Sequence, residues 1–199
     1  MKKRMGFICA AVLIVSLSAR AGDETNLLAT LRNAGFESPS IITGAKSGDE
    51  PENWFFFCSD NSRNVGITDA RKHSGMQSLF FKAQTPTEAY EGFAQKFLMV
   101  PDGHYTFSAW VLNDPQDPMT GAAYGQVSIE WKDAKGVEIS RTYSPAWSRE
   151  ASSTRWEKFS VDDYAPANAA VGIAVITFFC RDSSGVGGFF ADDCELVRR

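Results

Sequence analysis

Carboxylates, aromatic rings and side-chain amides supply the chemistry open to this chain. Its 199 residues include 24 Asp and Glu but two histidines, His73 and His104. His73 sits in a turn-forming stretch and His104 directly follows one. The Gly-x-Ser-x-Gly, His-Glu-x-x-His and phosphate-loop patterns are absent from the sequence. Two facing carboxylates could hydrolyse a glycoside, but abundance does not pair them. The reading is therefore of a protein that is not an enzyme. Cys-x-x-Cys spacing is also absent, which argues against zinc.

Binding is the better use of these residue types. A sugar ring presents an apolar C–H face and a rim of hydroxyls. Flat aromatics cover the first; Gln, Glu, Asn and Arg satisfy the second. In Tyr105–Leu112 the side chains alternate, with Tyr105, Phe107, Ala109 and Val111 on one face and Trp110 among hydroxyls on the other. In Gly125–Asp133, Gln126, Ser128 and Glu130 oppose Val127, Ile129 and Trp131. Trp110, Gln126 and Glu130 are thus candidate ligand-binding residues on neighbouring strands, and Gln95 could add an amide. The alternative for Trp110 is packing beneath the long Asn113–Ala123 loop. Trp131 and Trp156 read as core.

The elements that must position these residues are short strands. Pro101-Asp102-Gly103 is a turn, with proline setting the first corner and Asp-Gly tolerating a left-handed backbone. Glu91–Val100 before it and Tyr105–Leu112 after it read as a hairpin at the centre of a sheet. Trp54–Cys58, Val65–Asp69, Ser78–Ala83, Val137–Tyr143, Trp156–Val161, Val171–Phe179 and Phe189–Val197 are further strand-like runs. The aromatic run Trp54–Cys58 implies cover on both faces. Ile41–Asn53 and Pro145–Thr154 read as loops. Sustained helical periodicity is lacking, and turn signals recur at near-regular spacing. The fold expected is all-β: a two-sheet antiparallel sandwich, or jelly roll.

The N-terminus has its own logic. Lys2, Lys3 and Arg4, the apolar Phe7–Leu17 and Ala19-Arg20-Ala21 follow the order of a cleavable signal peptide over residues 1–21. A retained anchor is the alternative. Removal takes four of the 20 basic residues and none of the 24 acidic ones, leaving 16 against 24, or a net of −8. Such a surface argues against nucleic acid, and against membrane after signal removal. Residues 22–199 suffice for a single domain, secreted or held in the periplasm or cell envelope. Cys58, Cys180 and Cys194 are an odd set, open to one disulfide or none. A Cys180–Cys194 bridge would require a shifted register between the last two strands.

Several segments, in order, resemble one family. They are Asn26-Leu27-Leu28, Asn33-Ala34-Gly35-Phe36-Glu37, Ala70-Arg71-Lys72-His73-Ser74-Gly75, Tyr105–Val111, Thr154–Phe159, Ala165-Pro166-Ala167-Asn168 and Phe189–Leu196 with Asp192-Asp193. Together they resemble the galactose-binding-like β-sandwich carbohydrate-binding modules of families four, nine and twenty-two. The resemblance implies a two-sheet jelly roll that binds a poly- or oligosaccharide, and it makes Trp54 a binding candidate, with simple core as the alternative. It also implies a structural calcium ion held by Glu37, by backbone of the turn from Lys72 through Ser74 to Gly75, and by Asp192. Carbonyls of a tight turn plus two carboxylates suit such a hard cation. Asp192 alternates in phase with Cys194 and Leu196, and so is expected to point inward, where it needs a metal or a cage of amides. A glycan-degrading enzyme is an expected separate partner. The rival reading is a structural or adhesion sandwich binding a protein in the cell envelope.

Overall fold

The computed structural model describes residues 30–59, 64–83 and 88–199. The expected leader and the Asn26-Leu27-Leu28 segment lie outside the described residues. Among the described residues a 3-10 turn at Ile41–Thr43 is followed by ten strands: β1 (Phe55–Cys58), β2 (Val65–Thr68), β3 (Ser78–Lys82), β4 (Ala89–Phe97), β5 (His104–Asn113), β6 (Ala123–Lys132), β7 (Glu138–Tyr143), β8 (Glu157–Tyr164), β9 (Val171–Cys180) and β10 (Gly188–Arg198). They form two antiparallel five-stranded sheets. The front sheet has the order β1-β4-β9-β6-β7 and the back sheet β2-β3-β10-β5-β8. Among the described residues no helix is long and apolar enough to cross a membrane.

Alternation decides which side chains fill the space between the sheets. From the front sheet come Phe93 and Phe97, then Val127, Ile129 and Trp131, then Ala174, Ile176 and Phe178. From the back sheet come Leu79 and Phe81, then Tyr105, Phe107, Ala109 and Val111, then Phe189, Ala191 and Leu196. Phe81 stacks on Phe189 at 4.7 Å, and Trp131 meets Tyr105 at 5.5 Å and Phe97 at 5.8 Å. The Trp131 ring nitrogen donates to Asp163 Oδ2 at 2.7 Å, so its polar tip is satisfied at the rim of the core.

Two pairings differ from the sequence expectation. The Pro101-Asp102-Gly103 turn exists, with Asp102 at φ 60° and the Gly103 amide bonded to the Val100 carbonyl at 3.1 Å. It does not close a hairpin, however. It carries the chain from β4 in the front sheet to β5 in the back sheet. Likewise β9 and β10 lie in opposite sheets, and Cys180 sits opposite Ala89 and Ala123. Cys58, Cys180 and Cys194 are all free thiols. Alternation is a local property, whereas sheet membership is settled by which distant strand completes each edge; the same turn can serve either connection.

Candidate functional site

The outer surface of the front sheet is a groove whose composition follows from register. Residues that alternate away from the core fall into rows across three to five strands. One row reads Phe57, Gly92, Thr177, Gln126. The next toward one end reads Tyr90, Phe179, Tyr124. Toward the other end come Phe55, Ala94, Val175, Ser128, Tyr143, and then Lys96, Ile173, Glu130, Arg141. Rows two residues apart are spaced by about 7 Å. Small residues in the middle make the floor low. Gly92 is necessary there, since a Cβ at that position would lie 2.6 Å from the Phe57 ring.

Aromatic rings line the first end as a continuous ribbon. Phe57 and Tyr90 are 6.3 Å apart, Tyr90 and Phe179 6.4 Å, and Tyr124 stacks on Phe179 at 4.8 Å and 9°. The Arg181 guanidinium covers Tyr124 at 4.7 Å. Tyr90 is 46% exposed and Phe55 44%. The central concavity holds about 390 Å³, within the range of small-ligand sites. It continues past Tyr90 and Phe179 into a second hollow bounded by Ser59, Tyr124 and Arg181.

Charge concentrates at the opposite end. The Arg141 guanidinium binds Glu130 at 2.7 Å and Glu138 at 2.9 Å, and Lys132 lies 3.9 Å from Glu130. Burial pushes the Glu130 carboxyl above its ordinary 4.5, outweighing the pull of Arg141 in the other direction. The Gln126 amide donates to the Ser144 carbonyl at 3.1 Å. The expected pair Gln126 and Glu130 therefore shares this face.

The other expected binding residues lie elsewhere. Trp110 does point away from the core, but from the back sheet, so it does not neighbour Gln126 and Glu130. The His73 ring stacks on it at 4.3 Å, and Trp156 meets His73 edge-on at 5.7 Å. Trp156 is consequently half-buried in this outer cluster rather than in the core. Trp54 is 4% exposed, packs on Phe36 at 5.3 Å and donates its ring N–H to the Asn33 carbonyl. Gln95 points inward and clamps the Arg32 backbone, accepting from its amide at 2.7 Å and donating to its carbonyl at 2.9 Å. The aromatic run at β1 is an edge strand with Phe55 and Phe57 open, not covered on both faces. Phe57, Tyr90, Tyr124, Phe179, Arg141 and Lys132 were absent from the sequence candidates. The signal was available: Tyr90 is out of phase with Phe93, Phe179 with Phe178, and Tyr124 is in phase with Gln126.

Asp192 is 0% exposed, as its chemistry requires a partner, yet it does not point inward. It pairs with Trp110, and a bulge follows before Glu195 pairs with Ser108; Asp193, at φ 43°, is within it. That one extra residue reverses the phase between Asp192 and Cys194. Asp192 accepts amides from His73 at 2.8 Å, Ser74 at 3.2 Å and Asp193 at 2.8 Å. Burial still holds its carboxyl up at about 6, against the pull of those amides. Glu37 accepts from Met76 at 3.0 Å and Gln77 at 3.4 Å, seated against Gly75, where a Cβ would collide with it. Amides of His73 and Ser74 thus serve Asp192, those of Met76 and Gln77 serve Glu37, and Lys72 is exposed. Among the described residues no three His, Cys, Asp or Glu side chains are grouped to hold a metal. Glu37 and Asp192, the two carboxylates of the expected calcium set, each accept backbone amides.

Comparison with known proteins gives the fold. No family model matches the chain, and no curated protein sequence matches it. Solved structures do. The enzymatically active domain of bacteriophage CBA120 tailspike protein 4 aligns at a TM-score of 0.61 and 14% identity, covering 86% of this chain and 22% of that one. This chain therefore spans about a fifth of the tailspike domain. The Stig cyclase Fisc from Fischerella sp. TAU aligns at 0.57 and 17% identity, covering 86% and 96%. The carbohydrate-binding module TmCBM61, solved with β-1,4-galactotriose, aligns at 0.51 and 16% identity, covering 86% and 99%. Family 22 modules match at 0.53 and 0.52. The fold is the β-sandwich of the carbohydrate-binding modules, and enzymes are built on the same frame.

Proposed function

We propose that this chain is a secreted or envelope-held, non-catalytic module that binds a poly- or oligosaccharide along the open face of its front sheet. The observation that carries this is the ribbon Phe57–Tyr90–Phe179–Tyr124 along the groove, with Tyr90 exposed and the other three rings half-buried, Gln126 in the next row and Glu130 toward the groove's other end. The exposed Tyr90 ring, backed by its half-buried neighbours, offers the apolar platform that a pyranose C–H face needs, and the amide and charged groups supply partners for the hydroxyl rim. TmCBM61, solved with galactotriose, has the same fold. The non-catalytic part is supported by Glu130 and Glu138, both of which are bound to the one guanidinium of Arg141. Export is supported by the order of residues 1–21; the intact mass of the exported protein checks it, and a species retaining those residues overturns it.

Affinity electrophoresis through gels containing galactan, xylan or polygalacturonate tests the binding. Retardation by at least one glycan is expected. Tyr90→Ala and Phe179→Ala should each weaken it about tenfold or more, roughly 1.4 kcal/mol. Unchanged retardation in both variants, or none by any glycan, overturns the proposal.

A further inference from the structure

Beyond Phe55 the groove opens into a hollow of about 600 Å³ that contains two cations, Arg32 and Lys96. Lys96 is the outward residue at the β4 end of the row Ile173, Glu130, Arg141. Arg32 belongs to the segment ahead of the 3-10 turn and reaches the same hollow because of Gln95. That amide is 5% exposed and holds both backbone groups of Arg32, at 2.7 and 2.9 Å. A buried, two-point clamp from the residue adjoining Lys96 therefore fixes where the Arg32 side chain begins. The sequence marks Gln95 as a sugar contact; the structure makes it the residue that anchors the Arg32 backbone next to Lys96.

The hollow is lined by no carboxylate among the described residues; its polar members besides the two cations are Thr30, Asn53 and Gln95. Neither Arg32 nor Lys96 has a carboxylate partner among the described residues. At the other side of the groove the opposite holds: Arg141 and Lys132 are both engaged by Glu130. Two cations that share one concavity without a carboxylate partner among the described residues favour an anion by electrostatics. Guanidinium adds the planar, paired donors that suit a carboxylate or sulfate.

We infer that Arg32 and Lys96 form an anion subsite at the end of the groove, and that the bound glycan carries carboxylate or sulfate groups. This rests on the glycan-binding reading above. The subsite lies across the sheet from the Glu130–Arg141 pair, so an acidic residue of the chain would sit on the β1–β4 side of the groove while its neighbours cross the aromatic ribbon.

Affinity electrophoresis of the whole chain through polygalacturonate, dextran sulfate, neutral galactan and neutral xylan tests it. The polyanions should bind about tenfold or more tighter than either neutral polymer. The double variant Arg32→Ala/Lys96→Ala should lose that preference; both side chains are exposed, so its melting temperature should match the parent's. Stronger retention on polygalacturonate assigns the subsite to uronates, and stronger retention on dextran sulfate to sulfate esters. Equal binding of acidic and neutral polymers, lost in Tyr90→Ala, would overturn the anion subsite and leave the groove standing. A preference for polyanions that survives in the double variant would overturn the subsite as well. No retardation by any of the four would overturn both readings.

Discussion

The His73 imidazole lies flat on the Trp110 indole, with ring centroids 4.3 Å apart and planes 15° from parallel. His73 Nδ1 is in turn 2.6 Å from Asp193 Oδ2. The most conspicuous outward tryptophan of the sequence is thus a structural partner of the turn that cages Asp192. Its face is taken by another ring of the same chain.

Trp110→Ala should consequently leave glycan affinity unchanged, while Tyr90→Ala on the opposite sheet reduces it. The Trp110 variant should instead lose stability, because His73 and Trp156 lose the ring they pack on. Affinity electrophoresis and thermal melts of the two variants check this. Loss of binding in a folded Trp110→Ala protein would return the site to the back sheet.

Trp131 is 0% exposed and touches Phe97 of its own sheet and Tyr105 across the core. Trp131→Ala should destabilise the fold by about 3–5 kcal/mol, since neighbours from two sheets cannot collapse into the space. Chemical denaturation gives the value directly. A cost below about 1 kcal/mol would contradict the packing described.

If the amides alone hold Asp192, the melting temperature is indifferent to chelator; if the expected calcium ion joins them, chelation lowers it. Asp192→Ala leaves the His73, Ser74 and Asp193 amides without their acceptor, at a cost of about 1–3 kcal/mol for each left unsatisfied. Melts with and without chelator, on both proteins, decide the matter. A chelator-dependent fall that disappears in Asp192→Ala would establish the calcium ion implied by the family resemblance.

Glu130 predicts a pH dependence. Its carboxyl is raised above 4.5 by burial, so the folded state keeps a proton that the unfolded chain has released. Stability contributed by this group is therefore full below pH 4.5 and falls as pH rises through its folded value. Glu130→Gln cannot titrate, and its melting temperature should change less over the window just above pH 4.5. Parallel slopes for parent and variant in that window would show that Glu130 titrates normally.

Local pattern alone determined much of this protein. Alternation in Tyr105–Leu112 and Gly125–Asp133 separated inward from outward side chains correctly, because a strand's two faces are set by its own two-residue period. Asp133 to Gly136 was legible as a hairpin turn, and the structure closes β6 on β7 there, with Gly136 at φ 82°. The sandwich itself followed from the density of such strands and turns.

The tertiary structure decided which outward faces meet. Trp110 and Glu130 are both outward, yet one belongs to the back sheet and the other to the front. No period in the sequence records that choice, because it depends on pairing between strands far apart in the chain, such as β4 with β9 and β10 with β3. A single bulge residue near Asp193 reversed the phase expected for Asp192, and a buried amide turned Gln95 from a sugar contact into a clamp on Arg32. The aromatic ribbon arises the same way: Phe57, Tyr90, Phe179 and Tyr124 come from four strands, and only non-local register brings their rings together.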